Sequence, residues 1–275
     1  MSVAINNNLE SIVLCVYSPD AINSNLTEML DQFISSRTEL NLVYRGTYMH
    51  DSESIRLFYQ NSNPTSESWK LIENLFLSDK CIVSIWRGVN ALNKLMSIKG
   101  KSHPAIAKDG TIRSQFWCDN AVCNLIHVSD STAELERELS ILGLKSGDFI
   151  NSAIEIRTSE KLVDTQLCNK HNGIVNLSAI LQRNFPGLVL EVGFPEIPRS
   201  GISKLVNDVF TDFLVHIQNH AGPENKASRI SSAFLSGNTQ VIDSLLGELH
   251  SISDWEIMTI KSSMITRFKW AEIAS

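Results

Sequence analysis

Several features that would narrow the role of this chain at once are missing from it. No apolar run approaches the length of about 18 residues that a bilayer-crossing helix needs, so no transmembrane segment is expected. No CxxC pair occurs. The five cysteines, Cys15, Cys81, Cys118, Cys123 and Cys168, are odd in number, and Cys118 and Cys123 are too widely spaced for a zinc knuckle. Reduced thiols and a cytoplasmic location are the expectation, under which the sequons at Asn25 and Asn176 never meet the glycosylation machinery. Positive charge is in deficit: 24 Lys and Arg against 30 Asp and Glu give a formal charge of −6. That excludes a global basic field of the kind that holds nucleic acid nonspecifically, and no specific nucleic-acid partner is expected. The opening residues "MSVAINNNLE" carry neither a positive n-region nor a long apolar core, so a secretory signal is not expected. There is no internal repeat and no low-complexity tract. What is present is ordinary globular composition, 43% hydrophobic and 20% charged over 275 residues, enough for one large or two modest domains.

The first half alternates strand and helix patterns. "SIVLCVY" (11–17), "LNLVYRGTYM" (40–49), "KCIVSIW" (80–86) and "AVCNLIHV" (121–128) are apolar, β-rich runs and read as strands. Between the first two, Ile22, Leu26, Met29, Leu30, Phe33 and Ile34 recur at helical spacing. "SESIRLFYQ" and "SESWKLIENLFLS" read as two helices and "GVNALNKLM" as a short one. A polar, Gly- and Pro-punctuated stretch fills 97–113. "STAELERELSIL" (131–142) reads as a helix opened by a capping box of Ser131 and Glu134, with Leu135, Leu139 and Leu142 as its apolar stripe. Four strands and two principal packing helices in this order predict an α+β, ferredoxin-like split βαβ sandwich. Its four-stranded sheet is expected to be antiparallel, with helices over one face. "AIEI" (153–156) is expected to close this domain, which gives boundaries of 1–155 and 156–275. The second part is read as a mostly helical domain of unknown function, with one strand candidate, "GLVLEVGF" (187–194), between Pro186 and Pro195.

Within the fourth strand, Cys123, Leu125 and His127 share one face and Asn124 lies on the other. His127 is the last strand residue before a turn into a helix amino terminus, whose dipole favours phosphate. A histidine that ends a strand is more often structural than functional, so the case for His127 rests on its surroundings.

Those surroundings resemble the nucleoside diphosphate kinase family over about the first ~150 residues. "SPDAI" follows strand one, Tyr59 sits late in a short helix, and "VSIWRGVNAL" spans the third strand and the next helix start. "GKSHPAIAKDGTIR" is similar to the family's long loop ending in Gly-Thr-Ile-Arg, and "NLIHVSDSTAELEREL" to its Asn-x-x-His-Gly-Ser-Asp signature and following helix. The resemblance implies ping-pong phosphoryl transfer from a nucleoside triphosphate, such as ATP, to a histidine and on to a nucleoside diphosphate, with Mg2+ bound mainly through the nucleotide. It implies that His127 is the phosphorylated residue. Glu138 would orient its ring, and Ser129 would lie near that acid and the phosphate. Asn124 would contact the ribose and Tyr59 would sit by the histidine. Arg113 and Ser102 would contact phosphate. Trp69 is the counterpart of the aromatic that stacks on the base, although an ordinary half-buried aromatic is the plainer reading there. A homo-oligomer is expected by the same resemblance.

The sequence departs from the family at three places. Ser18 stands where the family has a lysine, Met96 where it has an arginine, and Val128 where it has a glycine after the histidine. Each charge-assisted hydrogen bond contributes about 1.5–3 kcal/mol, so two lost cations would slow transfer by roughly 10²–10⁴-fold. Lys94, Lys99 and Lys101 lie close enough in sequence to compensate in part. The alternatives are a weakened nucleotide-binding or scaffolding module whose helical domain binds a partner, or a site redirected to another phosphoryl or nucleotidyl reaction. In the second half, His216 and His220 have metal-ligand spacing but no HExxH glutamate, and a helix-surface pair is the better reading. Arg199, in the loop "FPEIPRSG", is a candidate anion contact.

Overall fold

The computed structural model describes residues 10–62, 64–156, 170–196 and 202–274. In chain order the elements are β1 (Glu10–Tyr17), α1 (Pro19–Asn23), α2 (Thr27–Thr38), β2 (Asn41–Tyr48), α3 (Ser52–Phe58), α4 (Ser66–Ser78), β3 (Cys81–Val89) and α5 (Ala91–Lys99). A 3-10 turn (Pro104–Ile106), α6 (Ile112–Gln115), β4 (Ile126–Val128), α7 (Thr132–Ile141) and α8 (Gly147–Ile150) follow. Then come α9 (Gly173–Asn184), α10 (Pro186–Val192), α11 (Ser203–Ala221), α12 (Lys226–Leu235), α13 (Thr239–Gly247), α14 (Asp254–Met264) and α15 (Phe268–Ala274).

These elements form two compact units, and neither is a single stretch of chain. One comprises Met1–Asn63, Glu73–Gly100 and Leu125–Cys168, the other Pro64–Ile72, Lys101–Asn124 and Asn169–Ser275. The first unit carries the sheet, in the order β2-β3-β1-β4 with every pairing antiparallel. This is the split βαβ, ferredoxin-like arrangement that the element order predicts. The expectation of helices over one face is too simple. Ile12 to Tyr17 are all buried, so both faces of β1 are covered, and α1, α5, α7 and α8 all touch it. A central strand buried on both faces has no polar side to show, which is why "IVLCVY" is continuously apolar. At the free side of β2, Ile156 forms a bridge to Leu42, and its N–H donates to the Leu42 carbonyl at 2.7 Å. The predicted segment 153–156 thus does end on this sheet.

Two strand expectations are corrected. The run 121–128 is a strand only over Ile126–Val128. Asn120 Oδ1 accepts from the backbone N–H groups of Val122 and Cys123, both at 2.8 Å, and this local turn takes the donors that a ladder would need. The run 187–194 is helix α10, opened by Pro186 at its first turn. The second unit is otherwise helical, as predicted. Its core is built by Ile174, Leu177, Ile180, Leu181, Phe210 and Phe234, all of which are fully buried. The buried Asp119 ties the 101–124 segment into it: Oδ2 accepts from the N–H groups of Gly173 and Ile174 at the start of α9, and from Ser263 of α14.

Candidate active site

In the sheet unit the site grows from the end of β4. Val16 of β1 pairs with His127, which fixes the histidine's place on the strand. The residue two before it, Leu125, has φ 75°, a left-handed conformation that costs a branched side chain about 1–3 kcal/mol. Two bonds hold it there. Its N–H donates to Asp20 Oδ2 at 2.9 Å, and its carbonyl accepts from the Ser18 N–H at 3.1 Å. Asp20 is fully buried, and desolvation raises its carboxyl to about 6. Ser18 donates its hydroxyl to the other oxygen of Asp20. The turn "SPD" therefore braces the approach to His127.

The imidazole of His127 is held on one side. Its Nε2 lies 2.7 Å from Glu138 Oε1 on α7, and Ser129 donates its hydroxyl to Glu138 Oε2 at 2.5 Å. A carboxylate only accepts, so Nε2 carries the proton and Nδ1 keeps its lone pair. The Glu138 side chain is 2% exposed and that of His127 16%, so the acid is enclosed while the ring still reaches solvent. The rings of Phe58 and Tyr59, at the end of α3, lie 4.8 Å and 5.7 Å from the His127 ring.

Arg137 links these parts, and the sequence reading missed it. Its guanidinium donates to the carbonyls of Leu57 and Phe58, ion-pairs with Glu134, and lies 3.8 Å from Glu138 Oε1. It thereby ties the end of α3, which carries Tyr59, to the helix that carries Glu138. The signal was available: Arg137 adjoins Glu138 and stands three residues from Glu134, the spacing of a same-face helix pair. The expected capping box at α7 is half formed. Ser131 Oγ accepts from the Glu134 N–H, while the Glu134 carboxylate is taken by Arg137 and by Asn61. Burial holds His50, which packs edge-on to Phe58, down at about 4.

Three other predicted residues come together in the helical unit. The side chain of Arg113 is buried in α6 and donates to the Asn124 carbonyl at 3.3 Å and to Asn124 Oδ1 at 3.1 Å. Asn124 Nδ2 donates in turn to the carbonyl of Ser102 at 3.2 Å. The backbone of Arg113 is also anchored, since Ser203 at the start of α11 donates to its carbonyl at 3.0 Å. Trp69 is half-buried in the first part of α4. Of the cations near Met96, Lys94 pairs with Glu39, and Lys99 pairs with Asp130. Lys101 is exposed. Val128 is fully buried, so its side chain packs into the core.

A family model for nucleoside diphosphate kinase matches residues 12–145. The nucleoside diphosphate kinase of Methanocaldococcus jannaschii is 30% identical over 124 residues, which is 45% of this chain and 86% of that protein. The chain belongs to the nucleoside diphosphate kinase family. The nucleoside diphosphate kinase of Wolbachia from Drosophila simulans is 29% identical over 127 residues, covering 46% of this chain and 89% of the relative. Among solved structures, the apo nucleoside diphosphate kinase of Encephalitozoon cuniculi matches with 22% identity and a TM-score of 0.45, over 50% of this chain and 91% of that one. The residues matched by the family model include His127, and the helices from α9 onward lie beyond them.

Elsewhere, His216 and His220 are exposed on α11, and His220 Nε2 lies 2.9 Å from Glu191 Oε2. No group of three His, Cys, Asp or Glu among the described residues could hold a metal ion, and no described helix is long and apolar enough to cross a membrane. Arg199 and Cys168 lie outside the described residues.

Proposed function

We propose that this protein is a nucleotide phosphotransferase that works through a phosphohistidine at His127. The observation that carries the reading is the oriented imidazole: Nε2 bound to Glu138 at 2.7 Å leaves Nδ1 as the nucleophilic nitrogen. The substrate is the Mg2+ complex of a nucleoside triphosphate. Without a cluster of three metal-ligating side chains among the described residues, the donor set suits a metal that arrives on phosphate oxygens. His127 Nδ1 attacks the γ-phosphorus, and the bond from that phosphorus to the β–γ bridging oxygen breaks. Its electron pair departs with the nucleoside diphosphate. The ring now carries the phosphoryl group and a positive charge, which the Glu138 carboxylate stabilises through the Nε2–H. A second nucleoside diphosphate then attacks through a β-phosphate oxygen, and the Nδ1–P bond breaks to restore neutral His127. The family resemblance assigns Arg113 to phosphate and Asn124 to the ribose. Family members commonly form homo-oligomers, and that assembly is proposed here on the same footing.

Incubation with γ-labelled ATP and Mg2+ should place acid-labile, base-stable phosphate on the wild-type protein and none on His127→Ala. Absence of label on the wild type would overturn the reading. A second reading, a nucleotide-binding module that transfers phosphate poorly, is favoured by the environment of Ser18. Its hydroxyl is spent on Asp20, and a serine at that position brings no positive charge. Tight ATP binding without label is the outcome that would select it.

A further inference from the structure

Lys99 is the last residue of α5, and its ammonium is aimed at the turn that follows His127. Nζ donates to the main-chain carbonyl of Val128 at 3.3 Å and lies 3.0 Å from Asp130 Oδ1. Val128 adjoins His127 directly, and Asp130 sits in the turn that leads into α7. The Lys99 side chain is 13% exposed, whereas that of Asp130 is 70% exposed. A largely desolvated cation therefore meets the main-chain carbonyl next in sequence to His127 and a carboxylate that stands mostly in water. Lys99 also follows Met96 by three residues, so the two share a helix face. Arg137, a cation near Glu138, is committed to two carbonyls and Glu134.

We propose that Lys99 is a phosphate-binding residue of this site, exchanging Asp130 for a β- or γ-phosphate oxygen of the nucleoside triphosphate. This rests on the phosphotransfer reading above and adds a substrate contact to it. An ion pair with a mostly hydrated carboxylate is weak and exchanges readily, and the Val128 carbonyl keeps the ammonium in place during the exchange. Asp130 in this turn and Glu134 and Glu138 on α7 already carry negative charge here, and a triphosphate brings more. A cation poised at the strand end answers that repulsion where the phosphoryl group must approach. It does so from a different position on α5 than Met96, the place where the sequence lacks one.

The test measures affinity for MgATP and for adenosine by calorimetry, alongside γ-labelled ATP transfer, in wild type, Lys99→Met, Lys99→Arg and Asp130→Asn. Lys99→Met should weaken MgATP binding by about tenfold to a hundredfold and leave adenosine binding unchanged. Lys99→Arg should keep affinity within a few-fold of wild type, and Asp130→Asn should bind MgATP at least as tightly. MgATP affinity in Lys99→Met equal to wild type overturns the proposal, as does an equal loss for adenosine. A wild type that binds MgATP without taking label removes the phosphotransfer reading, while the affinity comparison still decides the role of Lys99. A wild type that binds no MgATP overturns both.

Discussion

At the scale of single residues, the site is defined by which side chains are already committed. Glu138 has one oxygen on His127 and the other on Ser129, so its geometry is fixed before any substrate arrives. Arg137 is the counterpart on the preceding position of α7, and its fork fits two main-chain carbonyls at the end of α3. A lysine has the charge but not the fork. Arg137→Met removes both carbonyl bonds and the pair to Glu134. With a side chain 22% exposed, the expected loss is about 1–2 kcal/mol of stability in urea denaturation. Arg137→Lys should recover only part of it. Because Phe58 and Tyr59 then lose their tie to α7, the rate of label uptake should fall more than MgATP affinity does. Unchanged stability and transfer in Arg137→Met would show that these contacts are idle.

At the scale of elements, β1, β2 and β3 were legible because each is rich in β-branched and aromatic residues, β1 as a continuous apolar run. Only the end of β4 was, because the side chain of Asn120 competes for the backbone of 122–123 and Leu125 turns left-handed. Nor can a short apolar run such as "GLVLEV" tell helix from strand by itself. It lies over Pro186, and as α10 it buries Val189 while leaving Leu190 85% exposed. The clustering of His127, Ser129, Glu138 and Tyr59 was legible through motif spacing, and the structure brings these four together. The pairing of Arg113 with Asn124 was not, because it is made across a loop whose shape depends on the added helices. Those helices pack closely. A Cβ on Gly173 would stand 2.1 Å from Ser263 Oγ and 2.4 Å from the Thr259 carbonyl of α14. The backbone carbonyl cannot swing away as a flexible side chain would. Gly173→Ala should therefore destabilise the helical unit by about 1–3 kcal/mol, seen as an earlier loss of helical circular dichroism on heating. A melting curve identical to wild type would mean that α9 and α14 can move apart freely.

At the scale of the whole molecule, buried titratable groups set how the two units respond to acid. Burial holds His50 of the sheet unit, and His103 and His171 of the helical unit, at about 4, against an ordinary value of 6.5. Each unfolded imidazole takes a proton near 6.5, while the folded one refuses it until about 4. The stability these groups hold above pH 6.5 is therefore lost as pH falls towards 4, by up to about 3 kcal/mol for each histidine. Carboxyls raised by burial act with the opposite sign, since the folded form takes the proton first. Asp20, at about 6, restores stability to the sheet unit between pH 6 and 4 and roughly offsets His50. In the helical unit Asp119, also raised by desolvation, stands against two histidines. The helical unit should thus lose stability first on acidification. Tryptophan fluorescence can follow it, because Trp69, Trp117, Trp255 and Trp270 belong to that unit and Trp86 to the sheet unit. The emission should shift to the red between pH 6.5 and 4 before β-sheet circular dichroism changes. His171 donates to the Phe116 carbonyl at 2.8 Å, a bond that a glutamine amide can reproduce without titrating. His171→Gln should therefore shift the fluorescence transition to lower pH. A transition at the wild-type pH in that variant would show that the buried imidazoles do not set the acid limit of the helical unit.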